Sequence, residues 1–103
     1  MENKIAVFNN EEFGAVRTIS ENGKILFCAK DVAVALGYSN PRKAVADHCK
    51  GVTKRDTLTE GGVQSLSYIP EGDVYRLIVS SKLPSAARFE TWLFDTVVPD
   101  IRR

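Results

Sequence analysis

Five cationic side chains within fourteen residues form the most distinctive chemical pattern in this 103-residue sequence: Arg42, Lys43, Lys50, Lys54 and Arg55. Residues 28–59 contain six cations and three carboxylates, whereas the segments on either side each carry a net charge of −1. Such a cluster can neutralise nucleic-acid phosphates although the net charge of the whole chain is only +1. We therefore predict that these five residues bind DNA; for Arg42 and Lys43 the alternative is a solvated helix face with no partner.

The positions of these cations along the chain suggest how they would act. Arg42 and Lys43 fall in the first turn of a predicted helix, where the helix dipole disfavours positive charge and an anionic partner would offset it. That end of a helix also commonly faces base edges in helix-turn-helix proteins. Lys54 and Arg55 are neighbours on a predicted strand, so their side chains point to opposite faces. Only one of these two should contact DNA, unless the strand projects freely into a groove.

Catalytic chemistry is weakly represented in the sequence. His48 and Cys49 are adjacent, so on a helix their side chains diverge by about 100° and cannot act directly as a pair. Two cysteines and one histidine are too few for the four Cys/His ligands of a structural zinc site. A glycine-rich nucleotide loop is also missing. The sequence therefore predicts no enzyme, no metal and no cofactor, with Cys28 and Cys49 as unbridged thiols.

Length and composition predict one soluble domain. The chain is 44% hydrophobic and 26% charged, which is ordinary for a globular protein. It contains no apolar run near the roughly 18 residues that a membrane span requires, and its first residues do not resemble a signal peptide. We expect a cytoplasmic location and no membrane partner. Because the chain stops directly after its last predicted helix, residues 1–103 are expected to be a single domain excised from a longer protein.

The pattern of apolar residues and turns predicts an α+β fold with short antiparallel strands. Strands are predicted near residues 5–8, 13–19 and 24–27, and the Asn22-Gly23 pair between the last two is a strong hairpin signal. A polar β-ribbon is predicted from residues 52–59 and 63–69, joined at Gly61-Gly62. With so little apolar surface, this ribbon must lean on the body of the domain or project from it.

About four helices are predicted to pack with these strands. Residues 27–50 contain the first two, a helix-turn-helix-like pair that is separated at Gly37 and restarts at Ser39 or Asn40 with Pro41. The third begins at Glu71 and Asp73, whose charges suit its dipole. The fourth follows Pro84 and is expected to end at Pro99. Its apolar stripe consists of Ala86, Phe89, Leu93 and Val97 with Trp92 beside it, and Phe89 and Trp92 are predicted core residues.

Several phrases of this sequence resemble the Bro-N domain, the N-terminal module of baculovirus repeated-ORF proteins and of phage antirepressors. They are FCAKDVA at residues 27–33, LGYSNP at 36–41 with Lys43 and Ala44, YRLI at 75–78 with Ser81, AARFETWL at 86–93, and VPDIR at 98–102. The phrases span almost the whole chain in the right order. The combination of LGYSNP with the terminal F-x-x-W-L and P-x-I-R is quite specific.

The resemblance implies a mixed α/β domain that binds DNA, and in phage antirepressors such a domain is usually followed by a separate C-terminal domain. Two functions remain open. The chain is either a DNA-binding module of a prophage antirepressor-like transcriptional regulator, or a module that docks a phage repressor protein without contacting DNA. The resemblance does not identify the residues that contact DNA, so charge selects them, with Arg102 and Arg103 as a rival basic patch. A homo-oligomer is compatible with either function.

Overall fold

Five antiparallel strands form a single sheet in the computed structural model, which describes residues 4–102. They are β1 (Lys4–Asn10), β2 (Gly14–Glu21), β3 (Lys24–Cys28), β4 (Thr53–Thr59) and β5 (Gly62–Pro70). Their order across the sheet is β1-β2-β3-β5-β4, so the predicted polar ribbon joins the sheet through β5. The predicted α+β class is confirmed.

The turns that shape the sheet follow from local sequence. Between β2 and β3, Asn22 and Gly23 have φ angles of 52° and 78°, as a two-residue hairpin of this twist requires. The β4–β5 hairpin closes tightly, with Thr59 paired to Gly62. Both hairpins lie where the sequence predicts them.

Four helices pack on the sheet. They are α1 (Ala29–Ala35), α2 (Pro41–His48), α3 (Glu71–Ser80) and a final helix built from α4 (Ser85–Trp92), a π-helical segment (Leu93–Val97) and α5 (Val98–Arg102). Gly37 follows α1 with a φ of 80°, and the Asn40 side chain accepts a hydrogen bond from the Lys43 amide at 3.1 Å, which caps α2. Within residues 4–102, none of these helices has the length and apolar character needed to span a membrane.

The final helix continues through Pro99, where the sequence predicts its end. Before Pro99 the chain widens into the π-helical segment, in which the Val98 amide donates to the Leu93 carbonyl five residues earlier. Proline has no amide hydrogen to donate, and in a regular helix its ring clashes with the carbonyl four residues earlier. The wider π turn relieves that clash, so the expected helix end at Pro99 is wrong.

The main core lies between the sheet and the helices. Phe27, Ile69, Leu77 and Phe89 are fully buried there. Phe89 is thus a core residue as predicted. Trp92 is only partly buried, so its predicted core position is wrong; it lies at the edge, its ring stacked on Phe13 with centroids 6.0 Å apart.

A buried carboxylate joins two distant parts of the fold. Asp73, in the first turn of α3, accepts hydrogen bonds from the Lys50 amide at 3.0 Å and the Gly51 amide at 2.7 Å. Arg76 donates a third at 2.7 Å. Asp73 therefore holds the connection between α2 and β4 against α3. Sequence reasoning assigned this residue only a favourable interaction with the helix dipole.

We expect Asp73→Ala to lower the free energy of unfolding by about 2–4 kcal/mol, because it leaves two amides without their acceptor. Urea unfolding followed by circular dichroism measures this change. Asp47→Ala is the matched control: that carboxylate is exposed and pairs only with Lys43, so its loss should cost less than about 1 kcal/mol. Equal losses for the two variants would contradict the role of Asp73.

Phe89→Ala should cost about 3–5 kcal/mol, since it opens a cavity in the main core. Trp92→Ala should cost less, because part of the Trp92 ring already contacts water. The same urea titrations compare the two. If Trp92→Ala lowered the free energy of unfolding more than Phe89→Ala does, the centre of the core would lie nearer to Phe13.

Candidate nucleic-acid interface

A groove opens where β3 leaves the sheet. The β3–β5 ladder has only three residue pairs, and it stops at Cys28 opposite Tyr68. The chain then turns into α1 at Ala29, so the part of β5 from Ser65 to Ser67 has a strand neighbour only on the β4 side. The space beside that part of β5 is bounded by helices instead of a strand.

The groove has a volume of about 430 Å³ and three walls. One wall is the start of α1, another is the N-terminal end of α2, and the third is the β4–β5 hairpin. The lining residues are Cys28, Ala29, Lys30, Asn40, Pro41, Arg42, Val45, Lys54, Ser65, Leu66 and Ser67. Apolar side chains therefore line it together with cations and neutral hydrogen-bonding groups, and no carboxylate is among the described residues that line it.

Three cations from three different elements meet at this groove: Lys30 of α1, Arg42 of α2 and Lys54 of β4. Among the twelve Lys and Arg side chains that the structure describes, six form ion pairs, namely Arg17, Lys43, Arg55, Arg76, Arg88 and Arg102. The other six make no ion pair within that part of the chain, and half of them line the groove. The groove is thus a concentration of uncompensated positive charge.

The structure separates the five cations that the sequence selected. Arg42 and Lys54 line the groove. Lys43 points along the exposed face of α2, where Asp47 accepts its hydrogen bond at 2.8 Å and raises the pKa of Lys43. Lys50 lies in the connection before β4, with an exposed side chain.

Arg55 occupies the face of the hairpin opposite to Lys54, as strand alternation predicts. Its Nε and Nη2 atoms donate to the two carboxylate oxygens of Glu21 on β2, at 2.9 and 2.7 Å. This hydrogen bonding lowers the pKa of Glu21. The guanidinium of Arg55 is therefore paired within the fold, while the Lys54 ammonium has no ion-pair partner in the described part of the chain.

Sequence reasoning missed Lys30. It lies twelve residues before Arg42, and the only local signal is its position in the first turn of a helix that directly follows a strand. Of the rival basic patch at the chain end, Arg102 is paired with Glu71, and Arg103 lies outside the described residues.

A partly buried ion pair positions the α1 wall. Asp31 accepts hydrogen bonds from Nε and Nη2 of Arg17, both at 2.8 Å, and from the Arg17 amide at 3.0 Å. The hydrogen bonds that Arg17 donates to the Asp31 carboxylate raise the pKa of the Arg17 guanidinium. Because Asp31 follows Lys30 directly, this link to β2 fixes where the Lys30 side chain emerges.

The two thiols are free and weakly acidic. Cys28 is buried at the inner end of the groove, and burial raises the pKa of its thiol. Burial likewise raises the pKa of Cys49 to about 11. The groove therefore presents cations and hydroxyl groups, and it holds no activated thiolate.

Comparison with known proteins gives one family and several relatives. The family model described as "BRO family, N-terminal domain" matches residues 15–99. An uncharacterized protein of Haemophilus influenzae is 43% identical over 107 residues, which cover 100% of this chain and 53% of that protein. No solved structure matches the chain.

Viral relatives carry the same domain name. The Bro-N domain-containing protein ORF2 of Autographa californica nuclear polyhedrosis virus is 30% identical over 91% of this chain and 34% of its own length. The Bro-N domain-containing protein 201R of Invertebrate iridescent virus 6 is 31% identical over 75% of this chain and 24% of its own length. The chain thus spans about half, or less, of these curated relatives.

We expect both thiols of the folded chain to react with Ellman's reagent at pH 8 at least about tenfold more slowly than in urea. A raised pKa lowers the thiolate fraction at that pH, and burial limits access. The absorbance of the released thiol measures both rates. If one thiol of the folded chain reacted as fast as in urea, that thiol would not be buried as the structure shows. A mass two units below that of the reduced chain would reveal a disulfide.

Proposed function

The chain belongs to the Bro-N family, and on that premise we propose that it is the DNA-binding module of a prophage antirepressor-like transcriptional regulator. The observation that carries this proposal is the groove, at which Lys30, Arg42 and Lys54 converge without ion-pair partners in the described part of the chain. Cations that have no internal partner bind phosphate without first breaking an interaction of the fold. The proposal is one of binding, with no reaction catalysed.

The groove offers neutral donors as well as charge. The hydroxyl groups of Ser65 and Ser67 lie on its hairpin wall, and Asn40 and Arg42 bring the N-terminal end of α2 to the facing wall. Hydroxyls, amides and helix N-termini are groups that commonly contact DNA phosphates. A sugar–phosphate strand passing through this groove would meet donors from both walls.

The small number of cations sets the expected affinity and its salt dependence. Three neutralised phosphates give a log–log salt slope of about −2.7 on duplex DNA. Between 50 and 200 mM salt, the affinity should then fall roughly fortyfold. Lys43, Lys50 and Arg55 remain secondary candidates for phosphate contacts, and Lys43 and Arg55 would first have to leave Asp47 and Glu21.

A second candidate function is docking of a phage repressor, and one surface favours it. Tyr75 and Val79 are exposed one turn apart on α3, and the exposed Leu83 follows the helix. Exposed apolar side chains that lie close together are typical of protein interfaces. Docking on this surface would not require the groove cations, so the two functions are separable by mutation.

The test is the affinity for random and prophage-derived duplexes at two salt concentrations, measured by fluorescence anisotropy. Lys30→Ala, Arg42→Ala and Lys54→Ala should each weaken binding to all duplexes and make the salt slope shallower by about 0.9. Lys24→Ala and Lys82→Ala are matched controls, because these lysines are exposed and do not line the groove. They should bind as the parent does.

Two results would contradict the proposal. If the control and groove variants lost the same DNA affinity, the attraction would depend only on overall charge and the groove would not be the binding site. Absence of DNA binding, together with salt-insensitive binding of a repressor that Val79→Ala weakens, would favour the docking function.

A further inference from the structure

The β4–β5 hairpin extends beyond the groove, and one of its faces changes chemistry along its length. In the antiparallel register Lys54 lies opposite Ser67, Asp56 opposite Ser65 and Leu58 opposite Val63. Alternate residues of a strand share a face, so these three pairs lie on the same side of the hairpin. The face that lines the groove therefore continues outward through a carboxylate to an apolar pair.

The apolar pair at the end of this face is unusually exposed. Leu58 is 77% and Val63 68% accessible to solvent. The opposite face carries the contacts that stabilise the hairpin, since the Thr57 and Tyr68 hydroxyls are hydrogen-bonded at 2.9 Å and both residues are buried. Leu58 and Val63 thus contribute little to the fold.

The charges along the hairpin restrict how DNA could pass it. Leu58 lies four positions after Lys54, which corresponds to about 13 Å along the strand. Asp56 lies midway on the same face and is exposed, and Glu60 in the turn is also acidic. Both carboxylates repel phosphates, so a DNA strand held in the groove cannot continue along the hairpin. The hairpin must instead lie across the sugar–phosphate backbone of the DNA.

We propose that the outer hairpin enters the major groove, where Leu58 and Val63 contact thymine methyl groups and Asp56 faces base amino groups. This inference rests on the proposed DNA-binding function. The major groove is about 12 Å wide and 8.5 Å deep, and it admits a two-stranded ribbon. It presents thymine methyls to apolar side chains and cytosine amino groups to carboxylates. The cationic groove binds phosphates, and the hairpin supplies the base contacts that sequence reasoning assigned to α2.

The test compares two random-sequence duplex pools, one with thymine and one with uracil throughout, which differ only in the C5 methyl group. The parent should bind the thymine pool about fourfold more tightly, the gain expected from burying one methyl group. Leu58→Ala and Val63→Ala should each reduce this preference, and the double variant should bind both pools nearly equally. The salt slope should stay unchanged because no phosphate contact is lost. Val7→Ala, which truncates a 52% exposed valine on β1 at the sheet edge opposite β4, is the matched control and should keep the preference.

Thermal unfolding of each variant, monitored by circular dichroism, verifies the fold, and these exposed truncations should melt as the parent does. If the parent binds DNA and the hairpin variants keep its affinity and its thymine preference, the hairpin inference is overturned and the groove stands. A shallower salt slope in Val63→Ala would also overturn it, by showing that the tip only supports phosphate contacts. Hairpin variants that bind DNA normally but no longer bind a repressor would assign the tip to protein docking. If the parent binds no DNA, the proposed function itself fails.

Discussion

The hydrogen bonds of the buried Asp73 carboxylate are the constraint on which the candidate site depends. They hold the Lys50 and Gly51 amides, which belong to the short connection between α2 and β4. Because α2 and the hairpin form facing walls of the groove, the same connection sets the distance between Arg42 and Lys54. A single acceptor on α3 therefore helps to bring two cations from separate elements to one groove.

The charged residues of this domain divide into two roles. Paired cations hold elements together: Arg17 links β2 to α1 through Asp31, and Arg55 links β4 to β2 through Glu21. These pairs are partly buried and bidentate, the geometry in which an ion pair contributes most. Lys30, Arg42 and Lys54 have no such partner among residues 4–102 and lie together at one groove. Net charge alone conceals this division, since both groups count equally toward a total of +1.

Under the proposed function, a domain with so little net charge would exert little long-range attraction on DNA, so short-range contacts would supply most of its selectivity. The proposed arrangement divides that work along a single hairpin. Near the body, Lys54 and the serines provide ionic and hydrogen-bonding contacts; near the tip, Leu58 and Val63 provide apolar ones. The change from one to the other takes four residues of a strand, about 13 Å, a length comparable to the width of the DNA major groove.

Local features of the fold were predictable from the sequence because they depend on neighbouring residues. Asn22-Gly23 requires positive φ angles, Asn40 with Pro41 begins a helix, and Phe89 belongs to an apolar stripe at helical spacing. The composition of the groove was decided only by tertiary structure. Arg42 and Lys43 are neighbours in one helical turn, yet one lines the groove and the other pairs with Asp47, while Lys30 comes from a different helix. From the sequence, Asp73 is predicted only to interact favourably with the helix dipole. The structure shows that it also accepts hydrogen bonds from the Lys50 and Gly51 amides, more than twenty residues away. Such contacts join residues that are distant in the chain, and no local pattern encodes which distant residues will meet.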